Sequence, residues 1–145
     1  MAGRTIYDPL RRKDVALTPE EAVRQWFIGV LRDQLKVPQL KMMSEVGISS
    51  GDDASALGSG GKKVNRADIM VYDRESEPLM VVECKRPDVE LTRSVLEQAI
   101  RYASLFGAVR YLAVTNGKST YFAESIDGNL VFTDRIPTYQ EMVLK

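Results

Sequence analysis

The stretch Leu79 to Pro87, LMVVECKRP, constrains the fold more than any other part of this chain. Four apolar residues in succession leave no polar face, and a run of that kind lies under other structure. It reads as a strand from Leu79 to Lys85. Pro87 lacks the amide donor that a ladder needs and stops it. Yet the run ends in Glu83, Cys84, Lys85 and Arg86. Ionised groups are costly to bury without partners, so opposite charges at the covered end of a strand demand an explanation.

The side chains present narrow the chemistry. The 145 residues include no histidine. That removes Ser–His–Asp and Cys–His catalysis, imidazole zinc sites, and any group titrating near neutrality unless its surroundings shift it. Catalysis has to come from carboxylates, lysine, tyrosine and a hard metal ion held through oxygen. Acids and bases balance at 20 each, so no overall field draws in nucleic acid or an acidic membrane. The single cysteine, Cys84, excludes an internal disulfide framework and fits a reducing, cytoplasmic setting. No apolar run approaches the ~18 residues of a membrane span, and the start MAGRTIYDPLRRKD is too polar for a signal peptide. With 44% apolar and 28% charged residues, the composition is that of a globular protein of one domain.

Residues 1–17, with the basic cluster Arg11, Arg12 and Lys13, read as an irregular arm, and 18–145 as the single domain. Thr18-Pro19-Glu20-Glu21 is a helix start, with threonine at the N-cap, proline at N1 and glutamate at N3. Val23, Trp26, Phe27, Val30 and Leu31 keep helical spacing, so the helix runs to about Leu35. Pro38 ends it, and a first strand spans Lys41 to Val46. Gly47 to Lys63 is rich in glycine and serine and reads as a loop. Its tail GSGGKK is not a phosphate-binding loop: Ala56 stands where the first glycine belongs, and Lys63 where Ser or Thr belongs. Arg66 to Tyr72 is a strand, followed by a turn around Arg74 to Pro78. Leu91 to Phe106 is a second helix, with Val95, Ala99, Tyr102, Ala103 and Phe106 near one face and Gly107 as its cap. Tyr111 to Thr115 and Thr120 to Glu124 flank the Asn116-Gly117 turn, and Val131-Phe132 is a short last strand.

Side chains alternate along a strand, so Glu83 and Lys85 share a face with Val81 while Cys84 takes the other. If the turn after Tyr72 pairs Tyr72 with Leu79, then four residues further along each strand Asp68 lies opposite Glu83. Facing carboxylates repel, and a divalent cation would remove that cost. A slip of one residue would turn Asp68 to the other face. Oxygen ligands of this kind select Mg²⁺ or Mn²⁺ over zinc, with water and the backbone carbonyl of Cys84 completing the shell. Lys85 would position a water to attack a phosphodiester. The triplet Glu83-Cys84-Lys85 alone leaves open a plainer alternative, a surface Glu and Lys at a strand end.

Asp68-Ile69-Met70-Val71, then Glu83-Cys84-Lys85, then Gln98 and Tyr102 together resemble the PD-(D/E)xK nuclease superfamily. The chain is most similar to the N-terminal nuclease domain of type I restriction enzyme R subunits, through TPEEAVRQWF, NRADIMVYD, VVECKRP, LEQAIRYASLF and YLAVTNG in that order. The resemblance implies a restriction-endonuclease-like α/β core, a mixed sheet of about four or five strands with the two long helices packed against it. It implies Asp68 and Glu83 as metal-binding acids and Lys85 as the catalytic lysine. Gln98 and Tyr102 match a Q-x-x-x-Y motif on one helix face, and Glu21 matches the acid on the first helix. Ala67 departs from the pattern, which often has proline there.

The implied activity is Mg²⁺-dependent hydrolysis of DNA. Lys62, Lys63 and Arg66 lead into the Asp68 strand, and Arg86, Arg93 and Arg101 follow the triplet; any that border a cleft can steady phosphates. With zero net charge, DNA binding should be weak and salt-sensitive. In type I restriction systems the resembling domain is joined to a DNA translocase and works with specificity and methylation subunits. This chain holds no Walker A motif. An inactive nucleic-acid-binding or assembly module with the same fold is the alternative, and cleavage assays separate the two.

Overall fold

The computed structural model describes residues 3–47 and 66–144. Its centre is a mixed six-stranded sheet, one strand wider than the upper expectation. In chain order the elements are β1 (Thr5–Asp8), β2 (Lys13–Ala16), α1 (Pro19–Asp33), β3 (Met42–Gly47), β4 (Arg66–Tyr72) and β5 (Pro78–Cys84). There follow α2 (Arg93–Ala103), β6 (Tyr111–Thr115), β7 (Thr120–Ile126), β8 (Asn129–Thr133) and α3 (Tyr139–Val143). The large sheet has the order β3-β4-β5-β6-β7-β8. Only β5 and β6 run parallel; the other neighbours are antiparallel. A parallel pair needs a crossover, and α2 supplies it.

The apolar run reads out as its sequence demands. Every residue from Leu79 to Cys84 is buried, as are all five of β6. Alternation splits these side chains between two cores. Val82, Cys84 and Ala113 join Phe27, Ile28 and Leu31 of α1 on one face. Val81, Leu112 and Val114 join Ala99 and Ala103 of α2 on the other. Each fully buried aliphatic side chain in these layers contributes roughly 1.5–3 kcal/mol, before chain entropy is subtracted.

Local signals explain most boundaries. Thr18 caps α1 by accepting the Glu21 amide at 3.0 Å, with Pro19 in the first turn. Thr92 caps α2, so the helix starts two residues later than Leu91, and its expected last turn tightens into a 3₁₀ segment at Ser104–Phe106. Gly107 follows with φ +90°, a conformation that suits glycine. Between β4 and β5, Asp73 accepts the amides of Glu75 and Glu77, both at 2.9 Å. The Asn116-Gly117 turn is as expected. Gly117 has φ +87°, and a Cβ there would lie 3.3 Å from Val23 of α1.

Three expectations need correction. Within the stretch 1–17 expected to be an irregular arm, β1 and β2 form an antiparallel hairpin from Thr5 to Ala16. No Asn-Gly marks its turn, which instead places Arg12 at φ 57° and is tied down by the buried Asp8 carboxylate, an acceptor for the Leu10 amide at 2.8 Å. Second, Tyr72 pairs with Pro78 rather than Leu79, because the ladder shifts between Val71 and Tyr72. Third, α3 was not anticipated, although Thr138 and Glu141 form a complete capping box. The loop expected from Gly47 to Lys63, beyond Gly47 itself, lies outside the described residues, with the GSGGKK tail, Lys62 and Lys63. Among the described residues, no helix is long and apolar enough to cross a membrane.

Candidate functional site

Despite the shift at Tyr72, the rest of the β4–β5 register is the one expected. Ile69 pairs with Val82, Met70 with Val81 and Val71 with Met80. One step further along the same register Asp68 comes level with Glu83, and its charge acts on Glu83. Simple alternation does not hold at Asp68: Ala67 packs in the α2 core together with Met70, and the Asp68 carboxylate meets Arg24 of α1. The β3–β4 register is continuous on either side of Glu45, with Ser44 opposite Ile69 and Val46 opposite Ala67. Glu45 therefore also falls opposite Asp68. Three acids from three adjacent strands form a row across the sheet.

Each oxygen of Asp68 has a donor. Oδ2 accepts the Cys84 amide at 2.7 Å, and Oδ1 accepts from Arg24 Nη2 at 3.3 Å. Burial raises the carboxyl against those two influences, to about 6. Glu83 is pushed further, to about 8, by burial and then by the charge of Asp68, with Lys85 offsetting part of it. Its Oε2 is buried with no hydrogen-bond partner among the described residues. Burial also holds the Cys84 thiol well above its usual range. This sulfur is a packed core atom facing α1, so a contribution from Cys84 to the site rests on its backbone.

Arg24 is the charge that sequence reasoning missed. Its side chain is 5% exposed and lies 2.9 Å from Glu45, 3.3 Å from Asp68 and 3.7 Å from Glu21. Burial works against its charge, but the surrounding acids prevail and raise its pKa. The signal was present: Arg24 falls on the stripe with Phe27, Ile28 and Leu31, where an ordinary solvated arginine does not belong. Glu45 left no such signal. It sits inside a strand at φ 58°, a conformation uncommon for glutamate, and its carboxylate meets both Arg24 and Arg66, the latter at 3.5 Å. Glu20 was likewise passed over, and its charge acts on both Asp68 and Glu83.

The remaining expected residues divide into two groups. Lys85 sits at the end of β5, its amide bonded to the Thr115 carbonyl at 2.8 Å and its charge acting on Glu83. Tyr102 donates its hydroxyl to the Arg66 carbonyl at the start of β4. Burial and the Glu83 charge raise that hydroxyl to about 12. Gln98 lies exposed one turn earlier on α2. Glu21 forms only half of a capping box: its amide meets Thr18, while its carboxylate accepts from Arg11 at 2.7 Å and Gln25 at 2.9 Å. Arg66, Arg86, Arg93 and Arg101 are exposed. Arg86 pairs with Asp88 at 2.7 Å and Arg93 with Glu97 at 3.3 Å.

Among the described residues, no three His, Cys, Asp or Glu side chains stand ready to hold an ion. Two carboxylates do suit a hard cation: facing acids raised by burial, one with an unpartnered buried oxygen. Such a pair favours a bound divalent charge that ionises both, with water completing the shell.

The comparisons with known proteins agree with one another. A sequence profile for the N terminus of type I restriction enzyme R proteins matches residues 19–137. The fold is similar to a fragment assigned to an HsdR subunit of a type I restriction enzyme from Vibrio vulnificus YJ016, with a TM-score of 0.61 at 18% identity. That likeness covers 87% of this chain and 24% of the other, so the chain spans about a quarter of that relative's length. No curated protein matches.

Proposed function

The chain belongs to the type I restriction enzyme R protein N-terminal family, and from that premise we propose that it is the nuclease domain of such a subunit, a Mg²⁺- or Mn²⁺-dependent endodeoxyribonuclease of the PD-(D/E)xK kind. The observation that carries this reading is the buried carboxyl of Glu83, raised by the neighbouring charge of Asp68, with its Oε2 unpartnered among the described residues. A structural ion pair would not leave that oxygen empty.

In this reading Asp68 and Glu83 hold the cation, with the Cys84 carbonyl as a third oxygen. A cation bound there supplies Lewis acidity toward the scissile phosphate. Lys85 orients the attacking water and offsets charge that builds on the phosphoryl oxygens. Water adds to phosphorus, one ester P–O bond breaks, and the leaving oxygen departs with a proton. Tyr102 holds the start of β4 through the Arg66 carbonyl, and so sets where Asp68 lies. Gln98, one turn away and exposed, is free to face the substrate. Glu21 braces the site from α1 through Arg24. Arg66, Arg86 and Arg93 contact the DNA backbone, as Lys62 and Lys63 do in this reading; such contacts position the duplex without reading its sequence. Translocase, specificity and methylation subunits would supply the affinity that a chain of zero net charge lacks.

The test is relaxation of supercoiled plasmid by the full chain with Mg²⁺, against Lys85→Ala and against EDTA. Nicking by the wild type alone is the expected result. Both proteins inert in the presence of bound cation would leave only a binding or assembly module, and both equally active would remove Lys85 from the catalytic machinery.

A further inference from the structure

Three acids gathered from two strands and a helix should repel, yet the fold keeps them together. Glu45, Asp68 and Glu21 come from β3, β4 and α1, and one buried guanidinium, that of Arg24, lies within 3.7 Å of all three. The three contacts differ. Glu45 is the nearest at 2.9 Å, and its strand adopts a left-handed backbone at that residue. Such local strain persists only where the surroundings enforce it. Asp68 is held more loosely, at 3.3 Å, and has a second and shorter donor in the Cys84 amide at 2.7 Å. That amide belongs to the rigid central strand. Arg24 Nε and Nη1 make no hydrogen bond of good geometry. Those two nitrogens face Glu21 and Glu45, so two other acids keep the guanidinium in place when Asp68 is withdrawn.

We propose that Arg24 is a positioning residue that serves as the resident counter-ion of the metal-free site: it neutralises Asp68 until a divalent cation arrives, then yields Asp68 while remaining fixed by Glu45 and Glu21. The inference rests on the metal-binding reading above. Asp68 does not lose its place in the exchange, because the Cys84 amide still holds Oδ2. Arg24 thus competes with the cation for one oxygen and stabilises the empty site. A residue that only packed α1 against the sheet would do neither.

The experiment uses the full chain and Mn²⁺ alone, followed by calorimetric titration and by thermal unfolding in EDTA and in saturating Mn²⁺. Arg24→Met should bind Mn²⁺ about tenfold tighter, the size of a one-unit electrostatic effect. It should melt earlier than wild type in EDTA and recover most of that loss with Mn²⁺. Arg24→Lys, which keeps the charge, should restore an affinity close to wild type. Unchanged or weaker Mn²⁺ binding by Arg24→Met, with the same loss of melting temperature with and without the ion, would overturn the proposal. If Arg24→Met does not fold, Asp68→Asn/Arg24→Met is compared with Asp68→Asn. The double variant folding where the single does not supports the exchange, and failure in both backgrounds sinks it. Should wild type bind no Mn²⁺, the metal reading falls and takes the exchange with it. Coupling between Arg24 and Asp68 in EDTA would then still show the counter-ion contact by itself.

Discussion

The Cys84 amide donates to Asp68 Oδ2 across 2.7 Å, so the backbone of β5 fixes a side chain of β4. Removing that acceptor leaves a buried N–H unsatisfied, at a cost of about 1–3 kcal/mol. Asp68→Ala should therefore be less stable to urea by that amount and give no heat with Mn²⁺. Asp68→Asn keeps an acceptor oxygen, so it should lose the heat but little of the stability. Equal destabilisation by both variants would show that the amide contact contributes nothing.

Glu83 provides the pH dependence. In the unfolded chain it ionises near 4.5, and in the fold at about 8. Between those values the unfolded chain sheds a proton that the fold keeps. Metal-free stability is thus full on the acid side and declines as pH rises through about 8. Asp68 adds the same sign between 3.8 and about 6. Urea unfolding in EDTA at several pH values from 5 to 8 should show this decline, and Glu83→Gln should flatten most of it. Saturating Mn²⁺ should reverse the slope, because the ion favours the ionised pair. A slope that survives in Glu83→Gln would assign it elsewhere.

Arg11 links the hairpin to α1. Its guanidinium bonds the buried Asp8 and, at 2.7 Å, Glu21. Arg11→Met should cost about 1–3 kcal/mol and open the β1–β2 hairpin to limited proteolysis, while Mn²⁺ affinity stays within twofold or so. Protection equal to wild type would mean that the hairpin is held by other contacts.

Tyr102 touches the backbone of Arg66 and not, in this geometry, a carboxylate. Tyr102→Phe should remove roughly 0.5–1.5 kcal/mol of stability and lower plasmid nicking in step with the shift of β4, leaving the pH optimum where it was. A moved pH optimum would instead make the hydroxyl a proton carrier.

Much of this was legible because strands obey simple arithmetic. Val81 and Glu83 share a face by alternation, and the turn at residues 73–77 brings Asp68 opposite Glu83 even though a shift at Tyr72 was not foreseen. What stayed hidden depends on contacts between distant segments. Arg24 becomes meaningful only when β3 and β4 deliver Glu45 and Asp68 to it. The hairpin at Thr5–Ala16 escaped notice because its turn is stabilised by a carboxylate and not by glycine. The helix Tyr139–Val143 escaped because five residues show no periodicity, although its Thr138-x-x-Glu141 cap was written in the sequence.

Gly117 has a reach that its place in a turn conceals. A methyl group there would meet Val23 at 3.3 Å, and Val23 is the chain neighbour of Arg24. The corner between β6 and β7 therefore acts as a doorstop for α1. Bulk added at the corner would press on the one turn of helix that carries the guanidinium, so the distance from Arg24 to its acids is gauged by a missing side chain at the far end of the same helix contact.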